Sequence, residues 1–280
     1  MDEDTNYKFK PIHVNGKLME LSKPAIMGIL NVTTDSFYEG SRLDGEKALI
    51  DNAEKHLLDG ASILDLGAFS TRPNGQSVSV EEETNRINWA TKCLNKHFPN
   101  TAISVDTFRG KVAQIAIDNG ASIINDISSF SFDPELLTVL AKNKITYILM
   151  HVEGTFENMH EVREYPQGIT AYEQSFFKQK IEILNQHGIQ DIIIDPGFGF
   201  SKSMEDNHRL MQELEQLHSL NLPILVGISR KSMIYKKLGI TANEALNGTI
   251  ALNAIALSKG ASILRVHDVR EAKELVDLLF

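Results

Sequence analysis

A chain of 280 residues with 42% hydrophobic and 23% charged residues has the balance of an ordinary globular protein, at a length that one α/β barrel domain commonly reaches. Its net charge of -9 argues against non-specific nucleic-acid binding, which needs a basic surface, so an anionic substrate must be held by a few local cations. The single cysteine, Cys93, excludes an internal disulfide and fits a reducing compartment.

Taken in order, the chain begins Met1-Asp2-Glu3-Asp4, acidic where a signal peptide is basic and then apolar. No apolar run approaches the ~18 residues that suggest a membrane span. A cytoplasmic protein with no membrane segment is the expectation. Phe9–Val14 and Lys17–Leu21 flank Asn15-Gly16, a strong two-residue hairpin signal. Such a hairpin, over 9–21, would cover the N-terminal mouth of a barrel.

From Pro24 onward short apolar runs alternate with longer amphipathic stretches. The runs are Ala25–Val32, Ser62–Ala68, Ala102–Thr107, Ser122–Ser128, Thr146–His151, Ile192–Gly197, Ile224–Ser229 and Ser262–His267. Between them the pattern predicts helices over Gly45–Asp59, Val80–Lys96, Lys111–Asn119, Pro134–Lys142, Thr170–Gln186 and Met204–Leu220. Met233–Lys259 has room for two more, and Glu271–Leu279 for a closing one. Strands alternating with helices imply a parallel sheet, and eight such units predict a (β/α)8 TIM barrel over 24–280. With the hairpin this makes one domain, 1–280. A short repeat marks the joints: Gly-Ala-Ser-Ile recurs at Gly60, Gly120 and Gly260, and Gly188 plays the same part. Glycine just past a helix end takes the left-handed conformation that closes it.

The apolar runs finish in polar residues: Asn31, Asp65, Asp106, Asn125, His151, Asp195, Ser229 with Arg230 and Lys231, and Arg265 with His267. Strand C-termini carry the active site of a barrel enzyme, so eight polar ends predict a concave polar mouth. Asp106, Asn125 and Asp195 offer carboxylate and amide groups from three strands. A carboxylate accepts two parallel hydrogen bonds from a planar donor pair, such as the amino-pyrimidinone edge of a pterin or guanine. The same trio is also what a loop-holding network needs. Lys231 falls where a helix should start, and a positive charge there opposes the helix dipole, which points to a bound acceptor or anion. Arg265 and His267, two apart on one strand, face the same way and suit an anion better than a structural ion pair. His151 reads as a core histidine. The polar loops Asn31–Phe37 and Ser70–Ser77 adjoin the mouth, as catalytic loops do.

These stretches resemble a known family, dihydropteroate synthase, of the pterin-binding barrels. The resemblance rests on Met27–Thr33, Asp35-Ser36-Phe37, Ser70-Thr71-Arg72-Pro73, Ser104–Thr107, Asn125-Asp126-Ile127, Leu149-Met150-His151, Asp195–Phe200, Gly227–Ser232 and Arg265–Asp268, in the family's order. It implies that 6-hydroxymethyl-7,8-dihydropterin diphosphate condenses with 4-aminobenzoate to 7,8-dihydropteroate, releasing diphosphate. By similarity Asp106, Asn125, Met150, Asp195, Phe200, Gly227 and Lys231 would bind the pterin. Thr71, Arg265 and His267 would bind diphosphate, and Asn31 would ligate Mg²⁺. Phe37, Thr71, Arg72, Pro73 and Ser232 would form the 4-aminobenzoate pocket, which sulfonamides mimicking that substrate would occupy. Asp106, Asp35, Lys231 and Arg265 would be catalytic, and the assembly a homodimer.

Thr34 stands where the family usually has proline, Ala68-Phe69 where Gly-Glu is frequent, and Asn74 where glycine is frequent. A pterin-dependent methyltransferase on the same barrel would not need Arg265, His267 and Lys231 arranged for diphosphate. A catalytically silent pterin binder is the other reading, favoured only by the altered second loop.

Overall fold

The computed structural model describes residues 11–14, 17–19, 21–32, 42–68 and 78–280. Two short strands, β1 (Ile12–Val14) and β2 (Lys17–Met19), pair antiparallel with Val14 opposite Lys17. The turn residues Asn15 and Gly16 lie outside the described residues. Eight parallel strands follow: β3 (Ala25–Asn31), β4 (Ile63–Gly67), β5 (Ala102–Asp106), β6 (Ile123–Asp126), β7 (Thr146–Met150), β8 (Ile192–Asp195), β9 (Leu225–Val226) and β10 (Ile263–Val266). Their spatial order is β8-β7-β6-β5-β4-β3-β10-β9. The ring closes where Ile194 bridges Ile224 and its N–H donates to Pro223 O at 3.0 Å.

All eight barrel strands thus fall inside the apolar runs read from the sequence. The helices are α1 (Arg42–Leu58), α2 (Val80–His97), α3 (Gly110–Asp118), α4 (Glu135–Asn143), α5 (Ile169–Gln186), α6 (Met204–Gln212), α7 (Ser232–Leu238), α8 (Leu246–Ser258) and α9 (Val269–Leu279). Local chemistry sets their ends. In α2, Ser79 Oγ accepts from the N–H of Glu82 at 3.1 Å, Glu81 to Glu83 fill the positive first turn, and Lys96 and His97 the negative last one. Gly60, Gly120, Gly188 and Gly260 all take positive φ, and each following residue donates back to a carbonyl five residues earlier, as in Ala61 to His56 O at 2.9 Å.

One expectation is corrected. The stretch Met204–Leu220 is not a continuous helix: α6 stops at Gln212, and Leu214–Leu220 continues as a 3-10 helix. Leu214, Leu217 and Leu220 recur every three residues, the spacing that lines up on one face of a three-residue turn. Leu214 and Leu217 are fully buried in that arrangement.

Strand alternation divides the core. Residues facing out, such as Ile26, Leu64, Ile103 and Leu264, join the helices in the main cluster. Inward residues from every barrel strand, Ala25 and Met27 of β3 and one from each of the others through Ile263 of β10, form a second cluster inside the barrel. The hairpin closes that cluster from below: Ile12, Val14 and Leu21 pack into it, and Thr146 Oγ1 donates to His13 O. The hairpin therefore covers the N-terminal mouth. Ile12 is 3% exposed, so Ile12→Ala should cost about 2–4 kcal/mol of stability through the cavity it leaves. A lowered melting temperature with unchanged substrate KM is the expected result, because the opposite mouth is untouched. No described helix is long and apolar enough to cross a membrane.

Candidate active site

The strand period builds the site. Two residues beyond the inward apolar layer stand Asp65, Ser104, Asn125, Met150, Asp195, Gly227 and Arg265, each two places after a member of that layer. A polar ring therefore sits directly on an apolar floor. Its centre is Asp65, fully buried in the middle of β4. The Asp65 carboxylate accepts from Ser104 Oγ at 2.6 Å, from Asn125 Nδ2 at 3.2 Å and from Arg265 Nε at 2.6 Å. Arg265 Nη2 also donates to Asp106 Oδ2 at 2.8 Å. One guanidinium thus ties β4, β5 and β10 together, and two of its five N–H donors are used in doing so.

Asp106 ends β5 with one carboxylate oxygen, Oδ1, buried and without a hydrogen-bond partner. A buried acceptor left open is costly unless a ligand completes it. Burial pushes the Asp106 carboxyl up to about 7, further raised by Asp65, Glu83 and Asp126 and opposed by Arg265. Asp195 ends β8, and its Oδ1 accepts from the N–H of Gly197 at 2.7 Å. Burial raises its carboxyl too, while Lys231 and Arg265 pull the other way.

Lys231 occupies the N-cap of α7, as the charge-against-dipole argument placed it. Its Nζ donates to Phe198 O at 2.6 Å and lies 4.9 Å from the centre of the Phe200 ring. Burial lowers the ammonium to about 8, with Asp195 and Asp106 opposing and Arg265 and Lys202 adding to the fall. Phe200 and Met150 belong to an apolar wall with Phe108, Ile127, Val152 and Met159. Gly227 lies under Arg265: a Cβ added there would stand 3.7 Å from Arg265 Cβ.

The loops after β9 and β10 are locked to each other. Arg230 makes a two-pronged pair with Asp268, at 2.9 and 2.8 Å, and Ser229 Oγ lies 3.2 Å from both the backbone N and Nδ1 of His267. The lock between Ser229 and His267 brings the end of β9, with Lys231 after it, beside the end of β10, from which Arg265 reaches to Asp106. Asn31 ends β3, exposed at the rim, and Ser232 opens α7 beside Lys231. Asp35, Phe37, Thr71, Arg72 and Pro73 lie outside the described residues, as do the departures at Thr34, Phe69 and Asn74.

A family model described as pterin binding enzyme matches residues 27–267. The chain belongs to the pterin-binding enzyme family. It is 39% identical over 265 residues to the dihydropteroate synthase of Escherichia coli strain K12, covering 94% of this chain and 93% of that one. Yersinia pestis dihydropteroate synthase in complex with a sulfonamide drug has the same fold, with a TM-score of 0.88 and 36% identity over 96% of this chain and 97% of that one. The Xanthomonas albilineans dihydropteroate synthase solved with 4-aminobenzoic acid gives a TM-score of 0.87 at 33% identity, again over 96% and 97% of the two chains.

The strand-end reading of this pterin-binding barrel included Asp65 but misplaced it, and it missed two glutamates. Asp65 is the buried hub in the middle of β4 rather than a rim residue. Glu83 of α2 is fully buried and takes Thr107 Oγ1 at 2.6 Å and Arg109 Nη1 at 2.5 Å, bracing the end of β5. His151 is buried as expected, but its Nδ1 stands 3.2 Å from a second buried carboxylate, Glu173. Nothing in the periodicity marks either glutamate.

Proposed function

We propose that this chain acts as a dihydropteroate synthase, joining 6-hydroxymethyl-7,8-dihydropterin diphosphate to 4-aminobenzoate with release of diphosphate. The observation that carries it is the convergence of Asp106, Asn125 and Asp195 with Lys231 and Arg265 at one barrel mouth, with the open acceptor on Asp106. In this reading Asp195 takes the planar N–H pair of the pterin, Asn125 and Lys231 meet its remaining polar atoms, and Met150, Phe200 and Gly227 form the slot. Arg265 retains three donors beyond its bonds to Asp65 and Asp106, enough with His267 and Thr71 to hold diphosphate. Phe37, Thr71, Arg72, Pro73 and Ser232 line the 4-aminobenzoate pocket, where sulfonamides compete.

The chemistry asks for little more than positioning. The methylene carbon–oxygen bond breaks, its electron pair leaves on diphosphate, and the aniline nitrogen supplies a new pair before losing its proton. A neutral aniline needs no strong base. The carboxylate of Asp106, with Asp35, stabilises positive charge developing on the conjugated pterin, while Arg265 and Lys231 steady the departing anion. Asn31 suits Mg²⁺, a hard cation that keeps several waters and takes one or two protein oxygens together with substrate phosphates; when bound the ion neutralises diphosphate charge.

A single pterin-binding barrel domain (hairpin 9–21, barrel 24–280), a homodimer and a cytoplasmic setting complete the reading. Pure protein incubated with Mg²⁺, the dihydropterin diphosphate and 4-aminobenzoate should yield dihydropteroate and diphosphate in equal amounts. Methyl transfer without diphosphate release, or pterin binding without turnover, overturns it.

A further inference from the structure

The segment that follows β8 is held in an unusual shape. Gly197 has φ +65°, Gly199 +83° and Ser201 +50°, three left-handed residues within five. A Cβ on Gly197 would lie 2.1 Å from His151 O, so only glycine lets these two backbones touch. Backbone folded this way cannot satisfy its carbonyls by a regular ladder, and a buried unsatisfied carbonyl is costly. Gly197 O accepts from the N–H of Phe200 at 3.1 Å, and lysines supply the further donors. Lys231 donates to Phe198 O from the mouth side, whereas Lys202 Nζ donates to Gly197 O at 3.1 Å and to Phe200 O at 3.3 Å.

Lys202 is not at the mouth. Its side chain is fully enclosed, as is that of Glu173 on α5, whose Oε1 lies 3.3 Å from Lys202 Nζ. The same Oε1 is 3.2 Å from His151 Nδ1, and His151 is packed among Tyr165, Tyr172 and Phe176. A lysine and a glutamate have therefore been taken wholly out of water behind the segment that carries Asp195 and Phe200.

Such a pair is a poor device for stability. Well-packed apolar residues of similar volume commonly do as well or better, because desolvating two charges offsets their attraction. What an apolar pair cannot do is donate hydrogen bonds to two carbonyls at once. Burial of Lys202 rules out contact with substrate, so its action must pass through the backbone it holds.

Resting on the pterin-binding reading above, we propose that Lys202, fixed by Glu173, is a positioning residue that sets the backbone of residues 197–200 and thereby aims Asp195 and Phe200 at the heterocycle. Lys202 also adds a positive field near Asp195, favouring its carboxylate. The device acts on the segment that carries Asp195 and Phe200, the pterin half of the proposed site.

The test compares wild-type protein with Lys202→Met, Glu173→Gln and the double variant Lys202→Met/Glu173→Leu, which removes both buried charges at once. Direct binding of the dihydropterin diphosphate in Mg²⁺ buffer, steady-state KM values for both substrates and thermal melts are recorded. The double variant should melt close to wild type yet bind the dihydropterin diphosphate roughly 10- to 100-fold more weakly, the loss expected of a small misplacement. Its KM for 4-aminobenzoate should stay within about twofold of wild type, which is the split a merely structural role would not produce. Folded variants with wild-type pterin affinity overturn the proposal. So does a double variant that fails to fold, or one in which both substrates weaken in step with the melting temperature. Wild-type protein that binds the pterin but forms no dihydropteroate would refute the assigned reaction and leave this comparison intact.

Discussion

Asp195→Ala is expected to abolish binding of the dihydropterin diphosphate. The carboxylate is almost wholly buried, and one of its oxygens already holds the N–H of Gly197. Two charged hydrogen bonds to a planar donor pair are each worth about 1.5–3 kcal/mol, so their loss amounts to about 3–6 kcal/mol. At about 1.4 kcal/mol per decade that is roughly a 10²- to 10⁴-fold fall in affinity. Calorimetric titration measures it directly. Asp195→Asn separates the contributions, since the amide oxygen can still accept from Gly197 while the charge is gone. Near-normal affinity in either variant would remove the ring-gripping role from this strand end.

The second large effect is on pH dependence. Burial holds the Asp106 carboxyl at about 7 and the Lys231 ammonium at about 8. Catalysis in the proposed reaction uses the charged form of both, so kcat/KM for the dihydropterin diphosphate should fall on the acid side below about pH 7 and on the alkaline side above about pH 8. Asp106→Asn should lower activity and flatten the acid limb, and Lys231→Met should remove the alkaline one. A profile that stays level across neutrality would contradict both assignments. Stability runs the opposite way for Asp106: a carboxyl raised in the fold contributes fully at low pH, and the contribution fades as pH rises through about 7. The working form of this residue is the one the fold disfavours, which fits the open oxygen that substrate would complete.

The barrel and much of its mouth were legible in the chain because two short-range periods carry the information. Apolar residues at period two, separated by amphipathic helices and closed by left-handed glycines, specify a parallel sheet whatever lies beyond. Strand ends then follow by counting, which is why Asp106, Asn125, Asp195, Lys231 and Arg265 were all placed at the C-terminal ends of the strands or just beyond them. Asp65 was visible as a charge in an apolar run, but its partners were not. Arg265 is 200 positions away along the chain and Asn125 is 60.

The amino-acid sequence by itself determined the eight strands, the hairpin, the helices other than the break after Gln212, and the inward alternation, since each depends on neighbours within a few residues. Only closure of the ring decided that Asp65 would tie Ser104, Asn125 and Arg265 together, that Glu83 would brace Thr107 and Arg109, and that Glu173 would meet Lys202 behind the segment that follows β8. Hydrogen bonds and desolvation act through space over a few ångströms, and which side chains come that close is set by the packing of whole elements.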